Sequence, residues 1–303
     1  MKNFILYGLV AAAPLLAGCM GLETRNIRIA DKILKSQSDP DPAKISSAAA
    51  GFRKNDFSAE NLGKYSDTGI SRVYDALFNV TFFFPEQEIY ISFQENVLGE
   101  KILRHKQTNP EIERMHKTYI NTRMFEKASA LRKQFPDAKF QYVPATVLDS
   151  TSGETVWRVY DVSPGAEKVI LKALPIGVGP KVILGIFPGC PAAEKAMDTI
   201  MADPEISTVF KKYGVLLTKR FETKGVLRWR EHFNFPEIYI AYKASDFPDF
   251  DFTSSPNFYF LRDGKFKFSF SGWSNENEPD YGQTSIRKGL EAISVFPDRH
   301  PPQ

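Results

Sequence analysis

The chain has 303 residues, 43% of them hydrophobic and 25% charged, which is enough apolar material for one large or two ordinary globular domains. A formal net charge of +3 is too small to argue for nucleic acid, and two cysteines, Cys19 and Cys190, exclude a disulfide scaffold. The 25 phenylalanines are scattered through periodic segments, which assigns them to core packing.

Lys2 supplies a short positive region, Phe4 to Ala17 is almost wholly apolar, and Leu16-Ala-Gly-Cys19 closes the run. That run is too short to span a bilayer as a mature helix and has the form of a signal-peptide core. Its ending resembles the bacterial lipobox, in which small residues before a cysteine fit the signal peptidase. The resemblance implies a leader over 1–18 and acylation of Cys19, palmitate included, so that Cys19 becomes the new N-terminus and the link to the membrane. The alternative is an ordinary signal peptide followed by a coincidental cysteine. Several acyl chains anchor a protein stably, because each buried methylene contributes ~0.8 kcal/mol. Met20 stands where the inner-membrane retention signal of enteric bacteria has Asp. A lipoprotein in the outer membrane, facing the periplasm, is therefore expected. Beyond residue 19 no apolar segment is long enough to cross a bilayer.

Residues 19–66 are weakly patterned and are expected to form the anchored N-terminus and a linker. Leu22 to Lys35 spaces Ile27, Ile29, Ile33 and Leu34 among charges as an amphipathic helix. Ser36 to Pro42 is a break, and Ile45 to Lys54 reads as a further short helix. Residues 67–149 read as a helical domain. Asp67 or Thr68 caps a helix running to about Phe83, Pro85 starts the next, and Asn109-Pro110 starts a third. Ile112, Met115 and Tyr119 fall on one face, then Phe125, Ala128 and Leu131, before Pro136 ends the run. This pair resembles one tetratricopeptide-like hairpin, whose apolar face neighbouring helices must cover.

From 150 to 297 the pattern alternates strands and helices, and 298–303 is a tail. Glu154–Asp161 and Lys168–Lys172 predict a hairpin about Ser163-Pro-Gly-Ala166. Lys181–Phe187 predicts a buried central strand, Ala192–Ala202 a helix followed by Pro204–Tyr213, Gly214–Thr218 a strand and Lys224–Phe233 a helix. Asn257–Arg262 and Lys265–Ser271 flank Asp263-Gly264, a strong hairpin signal, and Ser285–Phe296 closes the chain as a helix. The predicted order is β-β-β-α-β-α-β-β-α.

Two motifs in this order resemble the thioredoxin-like fold. One is the apolar strand followed by Phe187-Pro-Gly-Cys190 and a helix. The other is Ser254-Ser-Pro-Asn-Phe-Tyr-Phe-Leu-Arg-Asp-Gly-Lys265 with Gly272-Trp273 beyond it. The resemblance implies an α/β thioredoxin-like domain after an all-α N-terminal domain. It also implies that Pro256 is a cis-proline beside the active-site sulfur, with Ser255 and Pro256 forming the edge along which a peptide lies. No cofactor is expected, and no metal, since the four histidines, 105, 116, 232 and 300, are widely separated and no pair has ligand spacing. A similar arrangement is that of bacterial thioredoxin-like proteins with helical N-terminal extensions.

The motif departs from the family at one point. Where a dithiol enzyme has Cys-x-x-Cys, this chain has Cys190-Pro-Ala-Ala193. A mixed disulfide needs a second thiol for its resolution, so a self-contained dithiol cycle is excluded. Cys190 at a helix start is either a reactive single thiol, favoured by the positive end of the helix, or a small apolar packing residue at a vestigial site. Other candidates are weaker. His105 and His116 read as solvated, His232 near Trp229 as packing, and the acidic-aromatic DFPDFDF (246–252) as a loop with a faint calcium-like character. Trp229 and Trp273 suggest an apolar groove for a protein or peptide partner. Two functions remain at this stage: a lipid-anchored single-thiol redox protein acting through Cys190, and a non-catalytic adaptor that binds envelope proteins.

Overall fold

The computed structural model describes residues 21–36, 41–148, 157–274, 278 and 280–296. The leader, Cys19, the start of the first predicted strand and the tail lie outside these residues.

The first half of the chain is helical: α1 (Leu22–Lys35), α2 (Pro42–Ala49), α3 (Ala59–Leu62), α4 (Asp67–Phe83), α5 (Glu88–Leu103), α6 (Asn109–Asn121) and α7 (Phe125–Gln134). The segment expected as a linker is part of this core. Ala30 and Ile33 of α1 are fully buried, and Glu23 accepts a 3.0 Å hydrogen bond from the Ser66 amide at the head of α4. The caps fall one residue earlier than expected. Ser66 Oγ accepts from the Gly69 amide, and the Thr108 amide donates to Glu111 Oε2. Both satisfy backbone or polar groups that a helix start leaves open. The helix expected over Ile45–Lys54 stops at Ala49, and a short 3₁₀ turn over Lys54–Phe57 follows. That turn stacks Phe57 on Phe93 of α5 at 4.2 Å between ring centres. Pro85 lies in the turn ahead of α5, not in its first turn.

Two polar clusters tie the helical layer together. Gln94 Oε1 accepts from the hydroxyls of Thr81 and Thr118, joining α5 to α4 and α6. Lys101 and Glu111 form a buried ion pair at 2.6 Å. His116, expected to be solvated, is only 2% exposed and packs 4.6 Å from the Phe140 ring. The charged residues beside it in sequence belong to the other face of α6, whereas the ring points inward.

The second half is one eight-stranded mixed sheet among the described residues. Its strands are β1 (Ala145–Leu148), β2 (Arg158–Val162), β3 (Lys168–Ala173), β4 (Pro180–Gly185), β5 (Gly214–Thr218), β6 (Ile238–Ala241), β7 (Asn257–Arg262) and β8 (Lys265–Ser271), in the order β1-β3-β2-β6-β5-β4-β7-β8. Helices α8 (Pro191–Ala202), α9 (Pro204–Tyr213), α10 (Thr223–Phe233) and α11 (Tyr281–Ala292) complete it. Strands β4, β5 and β6 are parallel, and β7 runs antiparallel to β4. The β7–β8 turn has positive φ at both Asp263 (52°) and Gly264 (72°), the pairing that a two-residue hairpin of matching twist requires. A parallel βαβ run, then an antiparallel hairpin and a closing helix, make this a thioredoxin-like α/β domain behind an all-α one.

Two predicted boundaries shift, and one strand is additional. β1 pairs with β3, so the sheet begins at Ala145 and not at 150. β6 was not expected; its four residues are all buried, so no alternation marks them. The last helix starts at Tyr281 and ends at Ala292.

The two faces of the sheet are covered differently. Val182, Leu184, Leu216, Ile240, Phe258 and Phe260 belong to the core that continues into the helices. Ile183, Val215, Leu217, Tyr239 and Tyr259 pack instead with Phe247, Phe250 and Phe252. The DFPDFDF stretch is therefore the aromatic cover of the second face. Two of its three acids are engaged within the protein, Asp246 with Arg158 at 2.8 Å and Asp251 with Thr253 and Ser254, while Asp249 is exposed.

Candidate functional site

The helical layer docks on the carboxyl ends of the parallel strands, the end of an open α/β sheet where sites form. Arg123, in the α6–α7 turn, donates to the carbonyls of Lys219, just past β5, and of Ala241, the last residue of β6. Burial pulls its pKa down to about 10, against an opposing contribution from Tyr160 and Tyr242. Lys219 Nζ donates to the Phe83 carbonyl at the end of α4, and Asn121 accepts from the Phe221 amide. Between the layers lies a cavity of about 290 Å³, with Glu86, Arg123, Lys219 and Ser245 among its lining residues.

Cys190 lies at this same end. β4 finishes at Gly185, and the turn Phe187–Cys190 follows, with Gly189 at φ +88°. The Cys190 amide donates to the Phe187 carbonyl at 2.9 Å, and Cys190 is the N-cap residue of α8, with Pro191 in the first turn. The first amides of a helix have no intrahelical partner, so the position presents partial positive charge. Cys190 is partly exposed and is a free thiol. Ala193, at the position of a resolving cysteine, is fully buried.

The loop before β7 comes up against this turn. Cys190 Sγ stands 3.5 Å from the Ser255 carbonyl oxygen, and the Phe187 amide donates to Ser255 Oγ at 2.9 Å. The Ser255–Pro256 peptide is cis. Behind it, Asn257 Nδ2 donates to the Asp251 carbonyl and to Ser254 Oγ, holding the loop in place. Burial pushes the Asp251 carboxyl up, but hydrogen bonds from Thr253, Ser254 and Asn257 outweigh that and hold it below the usual carboxylate range. The Cys190 turn and the Ser255–Pro256 peptide, 65 residues apart in sequence, are thus neighbours in the fold.

The structure adds a residue that sequence reasoning missed. Arg220, just past β5, lies between two aromatic rings, with its guanidinium carbon 4.0 Å from the Phe187 ring centre and 4.2 Å from that of Phe82 on α4. Phe187 belongs to the cysteine turn and Phe82 to the helical layer. Burial lowers the pKa of Arg220, and Glu222 and Cys190 oppose that lowering. A basic residue between β5 and α10 carries no local signal of such a role, since Phe82 is far away in sequence.

The other sequence candidates are placed elsewhere. Trp229 and Trp273 are buried, so they line no open groove; Trp229 packs edge-on to Phe233. The His232 side chain is exposed, 3.8 Å from Asp198. Among the described residues no group of three His, Cys, Asp or Glu is placed to hold a metal, and no helix is long and apolar enough to cross a membrane.

No family model matches this chain, and no curated protein sequence does. Among solved structures, a thioredoxin-like protein from Bacteroides caccae aligns over 96% of this chain and 99% of its own, at 11% identity and a TM-score of 0.29. The thioredoxin-like fold is carried by this chain's own strand order and by the loop that meets the cysteine turn.

Proposed function

We propose that this chain is a single-thiol thioredoxin-like redox protein, tethered to the bacterial envelope through Cys19 and facing the periplasm. The observation that supports it best is the partly exposed Cys190 thiol at the head of α8, 3.5 Å from the backbone edge at Ser255. A disulfide laid along Ser255 and Pro256 is attacked by the Cys190 thiolate. The S–S bond breaks, its electron pair leaves on the distal sulfur, and a mixed disulfide forms. With Ala193 at the resolving position, a second thiol must come from outside. A small thiol or a protein thiol attacks the substrate sulfur, which restores Cys190 as thiolate and leaves the substrate joined to the incoming thiol. The net reaction is thiol–disulfide exchange without net oxidation.

Native alkylation tests the thiol. In the full-length chain carrying Cys19→Ser, Cys190 is the single thiol, and it is expected to react with iodoacetamide near neutral pH without denaturant. Reaction only after unfolding sinks the redox reading and leaves a non-catalytic adaptor. The anchor is supported by Leu16-Ala-Gly-Cys19 and is tested separately. Labelled palmitate should enter the natural chain and not the Cys19→Ser variant.

A further inference from the structure

The Arg220 guanidinium carbon lies over two rings, 4.2 Å from the centre of Phe82 and 4.0 Å from that of Phe187. Stacking of that kind fixes the plane and leaves the in-plane N–H groups as its bonding edge. Among the described residues, no hydrogen bond or ion pair to a protein acceptor uses that edge; the bond made by Arg220 as donor is from its backbone amide to Thr218 Oγ1. Arg220 itself is partly exposed. Its unused edge contrasts with Arg123, Arg158 and Arg230, whose guanidinium groups bond to carbonyls or carboxylates of the protein.

The place of this open edge matters. Phe187, against which the guanidinium lies, is three residues before Cys190, and its carbonyl accepts from the Cys190 amide at 2.9 Å. Other charges stand nearby. Glu222 follows Arg220 at the start of α10, and Arg228, 3.8 Å from Glu194, lies beside Gly189. The site therefore combines a thiol, a backbone edge and a rigid guanidinium with free in-plane donors. A planar fork of that kind matches a carboxylate, which accepts two parallel N–H bonds.

We propose that Arg220 is the specificity-determining residue of the Cys190 site, binding the carboxylate of a small, carboxylate-bearing thiol or disulfide so that its sulfur meets Cys190. The inference rests on the single-thiol reading above. It gives the helical layer a part in recognition, because Phe82 of α4 is one of the two rings that aim the guanidinium.

Two alkylating probes of similar size test it, iodoacetate with a carboxylate and iodoacetamide without one. In both reactions the Cys190 thiolate displaces iodide from carbon, so their rate ratio cancels any change in the thiolate population. The protein is the full-length chain carrying Cys19→Ser. Its iodoacetate-to-iodoacetamide ratio should exceed that of an unstructured cysteine peptide by about tenfold at low salt, the scale of one charge-assisted hydrogen bond. The excess should shrink in concentrated salt. Arg220→Met should bring the ratio to the peptide value, and Arg220→Lys should keep part of the excess. The salt titration needs no variant: a ratio that does not fall in concentrated salt overturns the ionic contact even where Arg220→Met misfolds. A fast iodoacetamide reaction with a peptide-like ratio overturns the role of Arg220 and leaves the single-thiol reading standing. A parallel fall of both rates in Arg220→Met likewise overturns recognition and assigns Arg220 to packing. No native reaction with either probe overturns both.

Discussion

Acidification should loosen the helical layer through one buried imidazole, that of His116. The ring is 2% exposed, and burial, followed by the nearby Arg132, pulls its pKa from 6.5 down to about 4. The folded state therefore holds the ring neutral where the unfolded chain takes up a proton. This contribution to stability is full above pH 6.5, falls as pH drops from there to about 4, and is constant below, where both states are protonated. At about 1.4 kcal/mol per unit, the full difference is of order 3 kcal/mol, and roughly 2 kcal/mol of it is gone by pH 5. Carboxylates held low by hydrogen bonds, such as Asp203 and Asp251, release their contribution at lower pH and do not fill this window. Urea denaturation of the natural protein and of His116→Leu at pH 7.5, 6 and 5 separates the effect. The natural protein should lose about 2 kcal/mol more than the variant between the two extremes. Parallel losses in the two proteins, agreeing within about 0.5 kcal/mol, would refute the account of a buried neutral imidazole.

Three further outcomes follow from the packing. Lys101→Met leaves the Glu111 carboxylate buried without its ammonium partner and should cost about 3–5 kcal/mol in urea denaturation, much of it recovered in the double variant with Glu111→Gln. Arg123→Met strips hydrogen bonds from the buried ends of β5 and β6. It should destabilise by about 2 kcal/mol or more and speed amide exchange around Lys219–Phe221; unchanged exchange there would argue against Arg123 as the joint between the layers. At Gly289 an added Cβ would overlap the Phe260 ring, so Gly289→Ala should cost about 1–3 kcal/mol by thermal melting, and a second change, Phe260→Leu, should recover part of it.

Local signals were legible wherever one short stretch contained the whole physical cause. Asp263-Gly264 announces its turn because both residues tolerate positive φ, and Phe125, Ala128 and Leu131 announce a helix by spacing alone. β6 went unread because a four-residue strand buried on both faces shows no alternation, and β1 because its pairing with β3 is the cause of its existence. His116 was misplaced because the charges of its neighbours describe the other side of the helix. The faint calcium-like character of DFPDFDF is absent from the fold because Arg158 pairs with Asp246, and Thr253 and Ser254 bond to Asp251.

For the candidate site, the division follows sequence distance. The turn Phe187–Cys190 at a strand end, and Ala193 in place of a second thiol, follow from the sequence alone, since covalent neighbours determine both. The sequence also carries the lipobox-like Leu16–Cys19, which lies outside the described residues. Tertiary structure decided that Ser255 meets Cys190, that the helical layer docks at the same end of the sheet, and that Arg220 lies between Phe82 and Phe187. Each of these joins groups far apart along the chain: pairing of β7 with β4 brings Ser255 to Cys190, and packing of the helical layer on the sheet makes the others.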